Sequence, residues 1–230
     1  MKKNVVVFSG AGMSVESGIG TFRDANGLWE QFKIEDVATP EAWKRDADLV
    51  TDFYNQRRKQ VIEAQPNLAH LLIAELQKDF YVRVITQNID DLHERAGSLD
   101  VLHLHGNIRL SKSSGPNQEK KYFTIDGWEL NTEHKCPDGH RLRPHVVWFG
   151  EEVPAMNDAV KILQEASILI VIGTSLQVYP AAGLVHETPD DCKCYLIDPK
   201  AEEFSTPNHF VKITAKASDG MRELRRRIVD

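Results

Sequence analysis

The sequence predicts an α/β fold with a largely parallel sheet, and two observations lead to it. Short apolar runs rich in β-branched residues recur along the chain, at residues 5–8, 82–86, 168–172, 194–197 and 211–214. Segments with apolar residues at helical spacing lie between them, an alternation typical of a parallel sheet covered by helices. Each run ends in small or polar residues. Because the carboxyl ends of parallel strands line one crevice, we expect a single ligand site drawn from the whole chain.

The first run leads directly into Gly10-Ala11-Gly12. Gly10 permits a sharp turn, and Gly12 allows a ligand to approach the backbone closely. Ser14 suits the start of a helix, whose N-terminal N–H groups favour an anion such as a pyrophosphate. The spacing is not G-x-G-x-x-G, because Val15 stands where the third glycine would be. A tight turn without a ligand therefore stays an alternative.

A loop is predicted at residues 21–32, directly after this turn. It carries Phe22, Arg23 and Trp29, which are large side chains for an exposed loop. The pattern leaves two interpretations open, a mobile lid over the ligand or a surface loop packed in place.

Residues 35–64 are predicted to be helical, with Thr39 capping a helix that begins at Pro40. Tyr54 and Arg57 are three residues apart and therefore share a helix face. Arg58 is expected to point elsewhere and so to serve as a control for Arg57. From the pattern alone, the simpler interpretation is a tyrosine ring packed on the stem of a neighbouring arginine.

The second run is followed by residues 87–90, Gln-Asn-Ile-Asp, and then by a short helix and VLHLHGN. In an extended strand, His103 and His105 of VLHLHGN would face the same way. Histidine is the commonest general base near neutral pH. The pattern leaves open whether one of the two has that role or both are hydrogen-bonded core residues.

Residues 108–145 are polar and rich in turn-forming residues, which predicts a small insert outside the main sheet. The insert contains Cys136 together with His134, His140 and His145, but no C-x-x-C pair. A single cysteine with scattered histidines is not the spacing of a zinc site, so we do not expect one.

Composition excludes several classes of protein. The chain has 230 residues, 41% of them hydrophobic and 27% charged, as in an ordinary globular protein. Its net charge of −6 argues against nucleic acid as a partner. No apolar stretch approaches the length of a membrane span, and the three cysteines suggest no disulfide framework. We therefore expect a cytoplasmic protein, and a monomer.

Five motifs taken together, GAGMSVESGIGTFRD, TQNID, LHG, RPHVVWFGE and GTSLQVYPAA, resemble the sirtuin family of NAD-dependent protein lysine deacylases. The match keeps the family's order from residue 4 to about residue 217. It implies a Rossmann-like domain, with helices on both faces of a parallel sheet, at residues 1–34, 66–107 and 146–230. It also implies a small domain built from two inserts, residues 35–65 and 108–145.

The resemblance also implies roles for individual residues. His105 would be the general base, with Asn88 and Asp90 as its catalytic neighbours. The acyl-lysine peptide would lie between the domains, paired as a strand against Val147, Trp148, Phe149 and Gly150. The residues that hold NAD would be Gly10, Ala11, Gly12, Ser14, Phe22, Arg23, Trp29, Gln87, Asn88, Ile89, Asp90, Gly173, Thr174, Ser175, Asp198 and Ala217.

Tyr54 and Arg57 match the Tyr-x-x-Arg of family members that remove succinyl and malonyl groups. A forked, permanently charged guanidinium suits the carboxylate of such a group, and this favours a functional role over simple packing. The family's four zinc cysteines are missing, because residues 111–114 (Ser-Lys-Ser-Ser) stand where the first pair would be. We therefore expect packing and hydrogen bonds to hold the small domain.

The predicted activity is the removal of acetyl, and of succinyl or malonyl, groups from protein lysines, with NAD consumed as co-substrate. The products would be nicotinamide, O-acyl-ADP-ribose and free lysine. A sensor that binds NAD or ADP-ribose without turnover and a mono-ADP-ribosyltransferase are the alternatives. A dehydrogenase is disfavoured, because no second strand ending in an acidic residue follows the Gly-rich turn.

Overall fold

The computed structural model describes residues 2–21, 32–131, 133–177 and 179–229. Within these residues six strands form the larger sheet, all of them parallel: β1 Asn4–Ser9, β2 Tyr81–Thr86, β3 Val101–His103, β7 Ile168–Ile172, β8 Lys193–Ile197 and β9 Val211–Ile213. All five predicted runs form strands. The predicted α/β fold with a parallel sheet is confirmed.

The larger sheet has the spatial order β3-β2-β1-β7-β8-β9. After β1, the next two strands, β2 and β3, are added on one side of it. The last three strands, β7, β8 and β9, are then added in turn on its other side, so the strand order reverses between β1 and β7. In open α/β sheets the crevice at such a reversal is where ligands bind. β1 lies at the centre and is buried on both faces, with Val5 and Val7 in one apolar cluster and Val6 and Phe8 in the other.

Helices cover both faces of this sheet. On one face α4 (Leu68–Glu75) and α7 (Ala217–Val229) bury Ile73 and Met221 against β1. On the other face α6 (Met156–Gln164) buries Leu163. The remaining helices are α1 Ile34–Val37, α2 Pro40–Arg45, α3 Ala47–Glu63 and α5 Leu92–Arg95, with short 3-10 helices at Ala11–Ser17, Leu76–Lys78, Ala181–His186 and Ala201–Glu203. No helix in the described ranges is long and apolar enough to cross a membrane.

The cap predicted for α2 is confirmed. The side-chain oxygen of Thr39 accepts a hydrogen bond from the backbone N–H of Ala42 at 3.0 Å, and Pro40 is the first helical residue. This cap fixes the start of the helical segment that leads into α3.

A second, antiparallel sheet lies outside the first. In the part of the chain that the structure describes, it consists of β4 (Gly106–Ser113), β5 (Tyr122–Thr124) and β6 (Leu142–Val146), in the order β5-β4-β6. Helices α1 to α3 share one apolar cluster with β4, β6 and the residues that follow β6. The predicted domain boundaries stay a prediction.

The segment VLHLHGN does not form the single strand that would align its two histidines. β3 ends at His103, and β4 begins in the other sheet at Gly106, which has a φ of 85°. A Cβ at Gly106 would lie 2.1 Å from the carbonyl oxygen of His145, so only glycine fits there. The chain thus turns through His105 as it passes from one sheet to the other.

Candidate active site

The loops that follow β1 and β7 touch at the point where the strand order reverses. The N–H of Gly12 donates to the carbonyl of Gly173 at 2.8 Å, and a Cβ on Gly12 would lie 2.9 Å from the Gly173 Cα. A Cβ on Gly10 would lie 2.7 Å from the Thr174 Cβ. Gly10 itself is extended, with a φ of −128°, and its carbonyl accepts the N–H of Met13 at 2.9 Å, so the predicted turn begins at Gly10. The glycines are required because two protein loops approach each other closely.

A cavity of about 410 Å³ opens beside these loops at the carboxyl edge of the sheet. Its walls come from the loops after β1, β2, β7 and β8, from α3 and from the segment after β6. The predicted site residues that line it are Ala11, Gly12, Ser14, Tyr54, Arg57, Gln87, Asn88, Ile89, Asp90, His105, Val147, Trp148, Phe149, Gly150, Gly173, Thr174, Ser175 and Asp198. Residues far apart in the sequence therefore meet around one space.

Other predicted site residues do not line the cavity. Gly10 lies behind the wall, against Thr174. Ala217 is buried in the core at the start of α7, so the structure places it away from the cavity. Phe22, Arg23 and Trp29 lie outside the described residues.

A chain of hydrogen bonds through Ser14 joins the loops after β1 and β2. The Ser14 hydroxyl donates to Asp90 Oδ2 at 2.9 Å and accepts from Asn88 Nδ2 at 3.1 Å. Burial raises the pKa of Asp90, although the hydrogen bond from Ser14 opposes this shift. Gln87 extends the chain to the loop after β7 by donating to the Thr174 hydroxyl at 3.0 Å. These polar groups are thus fixed in orientation at the cavity wall.

His105 presents one ring nitrogen to a backbone acceptor. Its Nδ1 lies 3.0 Å from the carbonyl oxygen of Gln87, so Nδ1 carries the proton in the neutral ring and Nε2 keeps its lone pair. Burial lowers the pKa of His105, with the bond to Gln87 opposing the shift. The neutral imidazole is therefore favoured near pH 7, and its Nε2 is available as a base.

His103 is engaged at both ring nitrogens. Nδ1 lies 2.9 Å from the carbonyl oxygen of Asn88, and Nε2 lies 2.7 Å from Glu94 Oε1. Burial alone would lower the pKa of His103, but Glu94 and the Asn88 carbonyl raise it overall. An imidazole that donates from both nitrogens has no lone pair with which to act as a base. The geometry thus favours His105 over His103.

Tyr54 and Arg57 lie together in the cavity wall, on α3. Tyr54 is 2% exposed, and burial raises the pKa of its hydroxyl, which therefore stays protonated. Arg57 is half-buried and donates from Nη2 to the carbonyl oxygen of Gly20 at 2.9 Å. Among the described residues it forms no ion pair. A guanidinium and a phenol hydroxyl are thus presented to the same space.

Arg58 points away from Arg57 but is not a surface residue, so its predicted use as a control is wrong. It is 0% exposed. Its Nε donates to the carbonyl of Ile108 at 2.6 Å, and its Nη1 donates to Asn55 Oδ1 at 2.6 Å and to the carbonyl of Trp128 at 2.8 Å. These bonds tie α3 to the smaller sheet, so a change at Arg58 would disturb the fold.

The wall opposite is residues 147–150, directly after β6. The backbone N–H of Val147 donates to the His105 carbonyl at 2.9 Å, and that of Phe149 donates to the Ala38 carbonyl at 3.0 Å. The N–H of Trp148 donates to a carboxylate oxygen of Glu151 at 2.8 Å. The N–H groups of these three residues are thus bonded within the protein, and the Trp148 carbonyl also accepts the N–H of Glu151 at 3.0 Å. The pairing of a peptide strand with this segment stays a prediction.

Comparison with known proteins identifies the family of this fold and site. Residues 10–180 match the family described as Sir2. The chain belongs to the Sir2 family. The resemblance to the sirtuins that the five motifs indicated is thereby confirmed.

Relatives and solved structures match almost the whole of this Sir2 chain. An NAD-dependent protein deacylase of Bacteroides thetaiotaomicron is 49% identical over 230 residues, 99% of this chain and 98% of the relative. One of Helicobacter pylori is 48% identical, over 99% of this chain and 98% of that relative. A crystal structure of a Sir2 homologue in complex with NAD has a TM-score of 0.86 at 38% identity, covering 99% of this chain and 90% of the other.

Some lining residues of this Sir2 chain lie outside the sequence prediction: Ile19, Gly20, Thr21, Ala38, Val61, Val146, Glu151, Val153, Tyr179 and Pro180. Tyr179 and Pro180 stand within the GTSLQVYPAA motif and Glu151 ends RPHVVWFGE, so the motifs carried a signal for them. Ala38 follows α1 and reaches the cavity only through tertiary packing. No local pattern marks such a residue.

Cys136 of the predicted insert is buried in a small apolar cluster with Ile125, Leu130 and Leu142. Its sulfur donates a hydrogen bond to the Ser113 hydroxyl at 3.4 Å. Among the described residues, no group of three or more His, Cys, Asp or Glu side chains is placed to hold a metal ion. Apolar packing and this hydrogen bond thus account for the surroundings of Cys136.

Proposed function

We propose that this chain is an NAD-dependent protein lysine deacylase. The observation that carries the proposal is His105, whose Nε2 keeps a lone pair at the wall of the cavity. A base in this place can take a proton from a hydroxyl group bound in the cavity, a step typically worth ~10²–10⁴-fold in rate. The deacylase names of the relatives support the same proposal.

The donor set of the cavity fits NAD. Side-chain amides of Gln87 and Asn88 and hydroxyls of Ser14, Thr174 and Ser175 suit ribose hydroxyls and a carboxamide. When bound, NAD would supply the electrophilic ribose carbon to which the acyl group is transferred.

The polar residues of the cavity wall then have different roles in binding and in proton transfer. Asn88 and Asp90, held by Ser14, orient the nicotinamide and ribose groups, while His105 accepts the ribose proton. One water molecule is consumed, and the products are nicotinamide, O-acyl-ADP-ribose and free lysine.

Tyr54 and Arg57 extend the proposal to the acyl group. A guanidinium that forms no ion pair with another described residue, beside a protonated phenol, suits the terminal carboxylate of a succinyl or malonyl group. Acetyl groups enter the same cavity without using that charge. Acyl-lysine proteins are thus the proposed substrates. The net charge of −6 and the small number of cysteines support a cytoplasmic protein without a nucleic-acid partner.

Mass spectrometry of products tests the proposal directly. The protein is incubated with NAD and one of a set of acetyl-, succinyl-, malonyl- or long-chain acyl-lysine peptides. We expect nicotinamide and deacylated peptide in equal amounts, and only when an acylated peptide is present. NAD binding without any turnover would favour a sensor, and ADP-ribose attached to a protein would favour a transferase. Either result would overturn the deacylase proposal.

A further inference from the structure

One buried ion pair helps to hold the cavity wall at residues 147–150, together with the backbone bonds of Val147 and Phe149. Arg143, in β6, donates from Nη1 to Glu151 Oε1 at 2.7 Å and from Nη2 to Oε2 at 2.8 Å. This two-pronged geometry is the strongest form of an arginine–carboxylate pair. Oε2 also accepts the backbone N–H of Trp148 at 2.8 Å. One carboxylate therefore binds both the preceding strand and the segment that forms the wall.

Arg143 makes two further contacts with the same segment. Its Nη2 donates to the carbonyl of Val146 at 2.9 Å, and its guanidinium lies 3.5 Å from the centre of the Trp148 ring. The Trp148 ring is thus fixed between the guanidinium and the apolar cluster of α3. Glu151 thus holds the backbone of Trp148, and Arg143 contacts its side chain.

The ion pair is buried, with 5% of the Arg143 side chain and 16% of the Glu151 side chain exposed. Burial alone would raise the pKa of Glu151, but Arg143 lowers it overall, so the carboxylate stays charged. Buried ion pairs contribute little net stability compared with apolar residues of similar volume, because both charges lose water. Their directional bonds do fix geometry, and here the fixed element borders the cavity.

We infer that Glu151 and Arg143 are positioning residues that hold Trp148 and its neighbours Val147 and Phe149 as one wall of the channel for the acyl-lysine side chain. This inference rests on the proposed function. Neither residue acts on the reacting atoms. Loss of the pair should loosen the peptide wall and leave the NAD side, which is built from the loops after β1, β2 and β7, in place.

The test compares E151Q with the wild-type protein. Glutamine keeps the size of the side chain and one acceptor but removes the charge that Arg143 needs. We expect KM for an acetyl-lysine peptide to rise by about tenfold or more, with KM for NAD changed by less than about twofold. Hydrogen exchange of the Trp148 amide should become faster by a similar factor, because its acceptor is weakened.

A matched control is E119Q, which removes the carboxylate paired with the buried Lys112 at 2.5 Å in the smaller sheet. Glu119 is exposed and binds Lys112 and Tyr122, not residues 147–150, so both KM values should stay at the wild-type level. R143K is the second test variant and carries the same expectation as E151Q. It keeps the positive charge but loses the two-pronged bond, so it replaces E151Q if that variant does not fold.

Unchanged peptide KM in folded E151Q or R143K would overturn the inference, even if the Trp148 amide exchanges faster. Equal increases in both KM values would also overturn it, since they would show a general structural role. Failure of the proposed function would look different. It would appear in the wild-type protein itself, as no turnover of any acyl-lysine peptide, and would overturn both.

Discussion

Replacing Arg57 with methionine should change acyl selectivity more than overall activity. Methionine keeps much of the apolar stem and removes the guanidinium. In the native protein this group lies in the cavity wall beside Tyr54 and donates to the Gly20 carbonyl. If it also binds the carboxylate of a succinyl group, Arg57→Met should lower kcat/KM for a succinyl-lysine peptide far more than for the matching acetyl-lysine peptide.

The size of the effect follows from the kind of bond that is lost. A charge-assisted hydrogen bond in a partly buried site contributes roughly 1.5–3 kcal/mol, or about one to two decades in rate. The bond to Gly20 is lost with both substrates, so its cost cancels when the succinyl-to-acetyl ratio is taken. The ratio, rather than either rate alone, therefore reports on the acyl carboxylate.

Steady-state kinetics with two peptides that differ only in the acyl group measure this ratio. Arg45→Met serves as the control, because Arg45 is an exposed arginine that pairs with Asp36 at 2.8 Å and does not line the cavity. Arg45→Met is used instead of a change at Arg58, because Arg58 is fully buried. If Arg57→Met slowed both peptides to the same extent, Arg57 would be structural and the protein would be a general deacetylase.

Further expectations concern other groups. Tyr54→Phe should lower the succinyl-to-acetyl ratio in the same direction by a smaller factor, measured with the same peptides, because one neutral hydrogen bond is lost. His105→Ala should nearly abolish deacylation while calorimetry still detects NAD binding; full activity would exclude this base. Elemental analysis should find no stoichiometric zinc, because Cys136 is the only cysteine of the insert; one zinc per chain, lost on unfolding, would contradict this. Burial lowers the pKa of His70 to about 4, against 6.5 when unfolded, so the unfolded chain binds more protons between these pH values. From pH 7 to 5 His70 should therefore contribute about 2 kcal/mol to the fall in the free energy of unfolding, and in urea titrations His70→Gln should reduce the total fall by about that amount.

The strands and the loops that follow them could be predicted because their signals are local. Residues 168–172 are five consecutive β-favouring apolar residues followed by Gly173, a pattern readable in a window of six residues. In a parallel sheet the loops that follow the strands all lie at the carboxyl edge, and this does not depend on the details of side-chain packing. The shared position of Ser14, Asn88 and Thr174 at one cavity follows from that rule alone.

The surroundings of individual side chains could not be predicted where they depend on contacts between residues far apart in the sequence. Arg57 and Arg58 are adjacent and chemically identical, yet one lines the cavity and the other is buried under the smaller sheet. Helical spacing predicts that the two side chains point in different directions, but the burial of Arg58 depends on where β4 and the Trp128 carbonyl lie, and no local pattern encodes that. The residues alone left the choice between His103 and His105 open, the family resemblance favoured His105, and the hydrogen-bond partners of each ring support that choice. Glu94, which engages His103, comes from a different element.

The charges around the cavity give the strongest physical reason to expect an anionic ligand at Arg57. Among the described lining residues, the carboxylates are Asp90, Glu151 and Asp198. Glu151 is matched by Arg143, and Asp90 is bound by the Ser14 hydroxyl and the N–H of Leu92. Asp198 is on the far side of the sheet order, after β8, and accepts the N–H of Lys200. Arg57 has only carbonyl and amide oxygens as described hydrogen-bond partners. The nearby charge of Asp90 opposes the lowering of the Arg57 pKa by burial, but no ion pair joins the two side chains. Because a half-buried guanidinium gains most from a carboxylate in direct contact, we expect an acidic acyl group to bind there, as proposed above.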